Sequence, residues 1–190
     1  MMVELNKNLY IGKGAERKCY IHPNDATKVV KIEYIDYIDR DQNKLDVYYN
    51  KYLKKLDVSY SNISKCYGYI DTNIGTGVVY DAIKNYDGTI SKSFEYIITE
   101  KVLSKKEEKT LLLELKPYLS ENYIVFGDTM MSNILCQEVS KQNYKLIIVD
   151  GLGARRYGFK LWLHMHSRLF TKIRIKKQWK KLLKNYEDTR

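Results

Sequence analysis

The chain has 190 residues, a formal net charge of +10, 44% hydrophobic and 29% charged residues, and only two prolines and ten glycines. This is the balance of a compact domain or two small lobes, and it excludes a disordered chain or a long flexible linker. Cys19, Cys66 and Cys136 are widely spaced without a CxxC pair, which excludes a disulfide framework or a zinc pattern and points to a reducing cytoplasm.

At the N-terminus, MMVELNKNLY has no apolar segment suited to a signal peptide, and no stretch approaches the length of a membrane span. Three strands are expected at LYIG (9–12), KCYIH (18–22) and KVVKIEY (28–34), with HPND (22–25) as the turn before the third. From Asp41 to Leu56 the period changes, because Leu45, Tyr49, Tyr52, Leu53 and Leu56 recur at helical spacing. Two more strands, KCYGYID (65–71) and GVVYDAI (77–83), joined by TNIGTG, complete a five-stranded lobe, with Tyr86, Asp87 and Gly88 at its boundary.

Beyond that boundary, Leu111, Leu112, Leu115 and Leu119 predict an amphipathic helix over 104–120. YIVF (123–126) and NILC (133–136) flank a polar loop, KLIIVD (145–150) reads as a buried strand ending in an acid, and the tail from Gly158 reads as helical. Charge is concentrated in that tail. Residues 151–190 hold 12 of the 33 bases and two of the 23 acids, which leaves 21 of each sign in residues 1–150. No acid lies between Arg155 and Lys184, so the tail carries a positive potential suited to anionic, phosphate-rich partners.

Within the polar loop, Asp128 and Asn133 stand five positions apart, and Asp150 follows at the end of IIVD. An acid, an amide and a second acid in this order are the groups that a protein-kinase catalytic loop and its metal-binding Asp supply. Asp128 would orient an acceptor hydroxyl, while Asn133 and Asp150 would hold a divalent metal against phosphates. Upstream, Gly12 and Gly14 would let backbone amides approach phosphate, although Arg17 stands where a third glycine would complete GxGxxG. Lys31 in VVKI falls where a strand lysine would neutralise the α- and β-phosphates, with Asp46, or alternatively Asp41, as its acid on the next helix. The backbone of Asp81, Ala82 and Ile83 would face an adenine edge. Plainer readings stand beside each of these: a hairpin turn for the glycines, a solvated lysine for Lys31, a core strand for 77–83 and an Asp-Gly turn at 150–151.

These segments carry a resemblance. GKGAERKCYIHPNDATKVVKI, GTGVVYDAIKNYDG and NYIVFGDTMMSNILC, within residues 9–153, resemble the YrbL family of PhoP regulatory network proteins in the protein-kinase-like superfamily. The GD…N loop is also similar to that of bacterial lipopolysaccharide core kinases. The resemblance implies an α+β, two-lobed protein-kinase-like fold, with a five-stranded antiparallel N-lobe over 1–84 and a short, mainly helical C-lobe over 85–190. With Lys31, Asp128, Asn133 and Asp150 in this order, the expected activity is that of an ATP- and Mg2+-dependent phosphotransferase acting on a hydroxyl of a small molecule, a sugar or a lipid-linked saccharide. Phe126-Gly127 replaces the His-Arg of a kinase loop and Gly-Leu-Gly follows Asp150 in place of Phe-Gly. These departures favour an alternative, a pseudokinase that binds nucleotide without transferring phosphate. A second alternative assigns the basic tail to an anionic membrane or polymer. A basic amphipathic helix with Trp can lie at the inner face of the cytoplasmic membrane, or its apolar face can simply cap the lobe. The scattered tyrosines lack an RNA-binding signature, which disfavours nucleic acid. His164 and His166 lack a third ligand, which disfavours a metal site there.

Overall fold

A computed structural model describes residues 2–34, 42–154 and 156–190. The chain divides into two compact units: Met1–Tyr52 with Ser64–Ala82, and Leu53–Ile63 with Ile83–Arg190. Asp41, the alternative acid for Lys31, lies outside the described residues, as does Arg155.

The first unit is a five-stranded antiparallel sheet made of β1 (Tyr10–Lys13), β2 (Arg17–His22), β3 (Asp25–Glu33), β4 (Cys66–Thr72) and β5 (Gly75–Asp81), in the order β1-β2-β3-β5-β4. Side chains alternate across a strand, so VVKI in β3 serves both faces of the sheet. Val30 and Ile32 join Leu5, Tyr20 and Val79 in one apolar cluster. Val29 joins Val78, Tyr80 and Val47 in the other, and Lys31 shares the face of Val29. Val47 comes from helix α1 (Gln42–Lys55), whose Leu45, Tyr49 and Leu53 are buried at a four-residue interval, whereas Leu56 lies past its end and is exposed. The β4–β5 connection is shorter than the six residues of TNIGTG. Only Asn73 and Ile74 separate the strands, and Gly75 takes the positive φ of 119° that the tight turn demands. The Asn73 side chain accepts from Leu5 N at 2.7 Å and donates to Leu5 O at 3.1 Å, which fastens the N-terminal segment beside the sheet.

The second unit contains α2 (Phe94–Thr99), α3 (Lys105–Glu121), α4 (Phe159–His166) and α5 (Arg168–Thr189), with a three-stranded sheet of β6 (Lys92–Ser93), β7 (Ile134–Ser140) and β8 (Asn143–Ile148). A capping box starts α3: Glu107 N donates to Ser104 Oγ, and the Glu107 carboxylate accepts from Ser104 N. The ILC of NILC opens β7, a full hairpin partner of KLII, with the chain reversing at Lys141–Gln142. Asp150 therefore lies two residues beyond β8 and is not part of a hairpin turn.

The tail forms two helices broken at Ser167, which caps α5 by accepting from Phe170 N at 3.3 Å. Along α5, Ile175, Trp179, Leu182 and Tyr186 are buried at spacings of three and four. Tyr186 stacks on Phe94 at 6.2 Å and donates to Glu108 Oε2 at 2.7 Å, and Arg190 pairs with the same carboxylate. Glu108 has no exposed surface, so these donors compensate a buried carboxylate that would otherwise be costly. Among the described residues, no helix is long and apolar enough to cross a membrane.

Candidate functional site

In the second unit, the segments around Asp128 and Asp150 are joined by backbone bonds. Gly127 N and Asp128 N both donate to Gly151 O, at 2.8 and 3.0 Å, Gly153 N donates to Val125 O at 2.7 Å, and Phe126 and Leu152 form a bridge. This approach requires glycine on both sides. A Cβ on Gly127 would lie 2.4 Å from Gly153 O. At Gly151, which has φ +76°, a Cβ would lie 2.8 Å from Asp128 Cβ and 3.2 Å from Asn133 Nδ2. The Gly-Leu-Gly that replaces Phe-Gly thus lets the two segments touch.

Asn133 completes the group. Its Nδ2 donates to Asp128 O at 2.9 Å, holding the ends of the loop together. Its backbone O accepts from Val149 N at 2.9 Å, which ties a 3-10 turn at Met131–Asn133 to the approach to Asp150. Asp150 Oδ1 in turn accepts from Gly151 N at 2.8 Å. Asp128, through its Cβ and backbone O, and Asn133, through its Nδ2, therefore close on the position of Gly151, whose N–H the preceding Asp150 accepts, and the three residues carry between them two carboxylates and one amide oxygen of the hard type that suits magnesium. No cluster of three or more His, Cys, Asp or Glu that could hold a metal occurs among the described residues. A cation here would complete its shell with phosphate oxygens and water, as magnesium commonly does.

In the first unit, a Cβ on Gly12 would meet no atom within 4 Å and one on Gly14 would meet only Arg17 O at 3.9 Å, and neither glycine has a positive φ. Neither the turn nor internal packing requires glycine there, so the open space over the backbone is available to a ligand. Lys31 is buried, with Nζ 4.7 Å from the Tyr80 ring centroid. Asp46, also buried, accepts from Tyr80 OH at 2.9 Å and from Gln42 Nε2 at 2.9 Å. Burial pushes the Cys66 thiol up, with the Asp46 charge adding to the shift and Lys31 opposing it, so both charges are felt at one side chain.

The acid of α1 also has a partner that the spacing did not suggest. Arg17 Nη1 lies 2.7 Å from Asp46 Oδ2 and 3.3 Å from Asn43 Oδ1, and Arg17 is buried. The sequence signal was a base in the third-glycine position.

At 81–83, much of the backbone is already engaged. Asp81 N and Ala82 N donate to Lys65 O and Thr27 O at 3.1 and 2.8 Å, Asp81 O accepts from Ser64 Oγ, and Ile83 O accepts from Ser91 N. Among the described residues, Ala82 O and Ile83 N have no hydrogen-bond partner, and as atoms of one trans peptide they point in opposite directions. The Asp81 carboxylate accepts from Lys65 N and Tyr67 OH, and that bond to Asp81 pushes the Tyr67 hydroxyl up to about 12.

Two further residues support the loop from α5. Gln178 Nε2 donates to Gly127 O at 3.2 Å, and Asn185 Nδ2 donates to Thr129 O at 2.7 Å. Asn62 supports the strand before Asp150: its O accepts from Ile148 N at 2.8 Å and its Nδ2 donates to Leu146 O at 3.0 Å. Such amides have no local motif and become visible only in the folded chain.

The sequence profile described as PhoP regulatory network protein YrbL matches residues 3–187. The YrbL proteins of Escherichia coli (strain K12) and Shigella flexneri are each 33% identical over 158 residues, covering 80% of this chain and 74% of theirs. Crystal structures of two double mutants of the Mycobacterium tuberculosis PknI kinase domain superpose at TM-scores of 0.53 and 0.54 with 10% identity and cover 75% of this chain. The chain spans 56% and 58% of the length of those two structures. At that identity the likeness speaks for the fold, which is kinase-like.

Proposed function

The chain belongs to the YrbL family of PhoP regulatory network proteins, and from that membership and its kinase-like fold we propose an ATP- and magnesium-dependent phosphotransferase. Its acceptor is a hydroxyl of a small molecule, a sugar or a lipid-linked saccharide. The observation that carries this reading is the grouping of Asp128, Asn133 and Asp150 around Gly151.

Magnesium-bound ATP would supply the phosphoryl group and neutralise the charge that spreads over it during transfer. Asn133 Oδ1 and the Asp150 carboxylate would hold the metal. Asp128 would accept the hydroxyl proton of the acceptor, acting as general base. Lys31 would neutralise the α- and β-phosphates, with Asp46 as its acid on α1, and the amides around Gly12 and Gly14 would cover them. Of the 81–83 stretch, either Ala82 O or Ile83 N, but not both, would meet an adenine edge. Residues 1–84 would then act as the nucleotide-binding lobe and 85–190 as the catalytic one.

Thermal stabilisation by ATP with magnesium, compared with ADP, GTP and metal alone, tests the reading. The Asp150→Ala variant should lose the magnesium-dependent part. Equal stabilisation in that variant would remove the metal assignment.

A second reading is a nucleotide-binding regulatory module that transfers no phosphate, and the Arg17–Asp46 pair favours it. In a working kinase the helix acid is engaged by the strand lysine. Here a second base holds that acid at 2.7 Å. ATP consumption that falls in Asp128→Asn separates the two, because a binding module has no acid-dependent turnover to lose.

A further inference from the structure

The second unit has apolar side chains that its own core does not use, and they lie among bases. In α4, Leu161 and His164 are buried, while Phe159 and Trp162 are 71% and 51% exposed. Their rings stack at 5.7 Å, and Trp162 stacks on His166 at 4.7 Å, so three rings form a continuous ledge along one side of the helix. In α5, Leu169 and Ile173 are 72% and 59% exposed, although the same helix buries Ile175, Trp179 and Leu182. Lys176 and Lys180 continue the stripe of Leu169 and Ile173 at helical spacing, opposite the buried side. The α5 helix is therefore apolar on two sides, one of them flanked by lysines.

We propose that this aromatic and aliphatic surface of α4 and of the first half of α5 docks on an anionic phospholipid surface. Charge complementarity selects that occupant. No acid occurs from residue 151 to 186, whereas bases recur through the whole stretch, and an uninterrupted run of bases complements a uniformly anionic surface better than a protein face of mixed charge. Exposed Trp and Phe beside lysines match the two layers of a bilayer interface. Rings settle at headgroup level, leucine and isoleucine enter the acyl boundary, and lysines remain with lipid phosphate. An RNA strand would use the lysines and stacking rings but has no use for Leu169 and Ile173. The inference does not depend on phosphate transfer, and it would place the protein beside lipid-linked acceptors if that activity holds.

Trp162 is a built-in reporter, because the other tryptophan, Trp179, is buried. In a Trp179→Phe background, vesicles of phosphatidylglycerol mixed with phosphatidylcholine should shift Trp162 emission to the blue and should sediment with the protein. Pure phosphatidylcholine should bind at least tenfold more weakly, and raising salt from about 0.05 M to 0.5 M should release most of the protein, since screening lengths shrink well below about 10 Å. Phe159→Ser with Trp162→Ser, and separately Leu169→Ser with Ile173→Ser, should each weaken vesicle binding at least tenfold at unchanged thermal stability. Absence of sedimentation with phosphatidylglycerol at low salt would overturn the proposal. So would binding that survives both double substitutions, or a polyuridylate affinity that exceeds the vesicle affinity and is unaffected by Leu169→Ser with Ile173→Ser.

Discussion

Arg17 donates to Asp46 across 2.7 Å, and both side chains are almost completely withdrawn from water. A buried ion pair contributes modestly as a pair but leaves a costly isolated charge when one member is removed. Arg17→Met should therefore cost about 3 kcal/mol of stability, at the low end of about 3–5 because Tyr80 and Gln42 still donate to Asp46. Asp46→Leu should cost a similar amount, and the double substitution less than the two together. Urea midpoints of the four proteins give the coupling directly. Strict additivity would mean that the pair is not a unit. On the phosphotransferase reading, Arg17→Met should also alter ATP affinity, because Asp46 loses its competing base.

Glycines separate structural need from ligand access. Gly151→Ala places a methyl 2.8 Å from Asp128 Cβ and 2.9 Å from Asp128 O at φ +76°, so it should cost roughly 2–4 kcal/mol and disturb the loop. Gly12→Ala meets no atom within 4 Å and should leave stability within about 0.5 kcal/mol. If the strand covers phosphate, the same methyl should weaken ATP binding severalfold. Unchanged ATP binding in Gly12→Ala, measured by calorimetry, would remove this glycine from the nucleotide site.

Much of the first unit was legible because β-branched alternation and short turns are local signals. VVKI, HPND and the Gly75 turn specify strands and reversals within a few residues, but both connections were overestimated, since His22 and Asp25 already belong to strands and β5 runs over Gly75–Asp81 and not over 77–83. The second unit was less legible. Segments 133–136 and 145–150 each look like an isolated apolar run, and their pairing as a hairpin depends on contacts that neither run announces. Arg17 shows the same limit at the site. Its position was conspicuous as a missing glycine, but its burial against Asp46 follows from where α1 packs, which periodicity does not reveal. Asn185 and Gln178 lie more than fifty residues from the loop they support.

Asn185 supports Thr129, whose carbonyl and hydroxyl oxygens it reaches at 2.7 and 3.1 Å. Asn185→Asp keeps the shape and removes the N–H donor, leaving two acceptors face to face. The expected loss is about 1–3 kcal/mol, or several degrees in Tm for a chain of this length. Because Asn133 and Asp150 are untouched, magnesium-dependent ATP stabilisation should persist while turnover falls. Loss of both together would indicate collapse of the loop, and no loss of either would make the brace incidental.

His164 sets a pH limit on the second unit. Burial disfavours its imidazolium and pushes it down to about 4, with the nearby Arg174 charge acting in the same direction. Above pH of about 6.5 the ring is neutral in both the folded and unfolded chains, so it adds no pH dependence. As pH falls below that value, the unfolded chain takes up a proton that the folded ring refuses, and stability is lost progressively until pH passes about 4. Partial screening reduces the full linkage to roughly 2 kcal/mol. Urea midpoints read through the fluorescence of buried Trp179 should therefore fall between pH 7 and pH 4.5 in the parent chain. His164→Gln should remove most of that slope, since glutamine takes up no proton in this range. An identical slope in the variant would show that acid sensitivity arises elsewhere, with the carboxylates Asp25 and Glu187, both held low by hydrogen bonds to neighbouring side chains, as the next groups to replace.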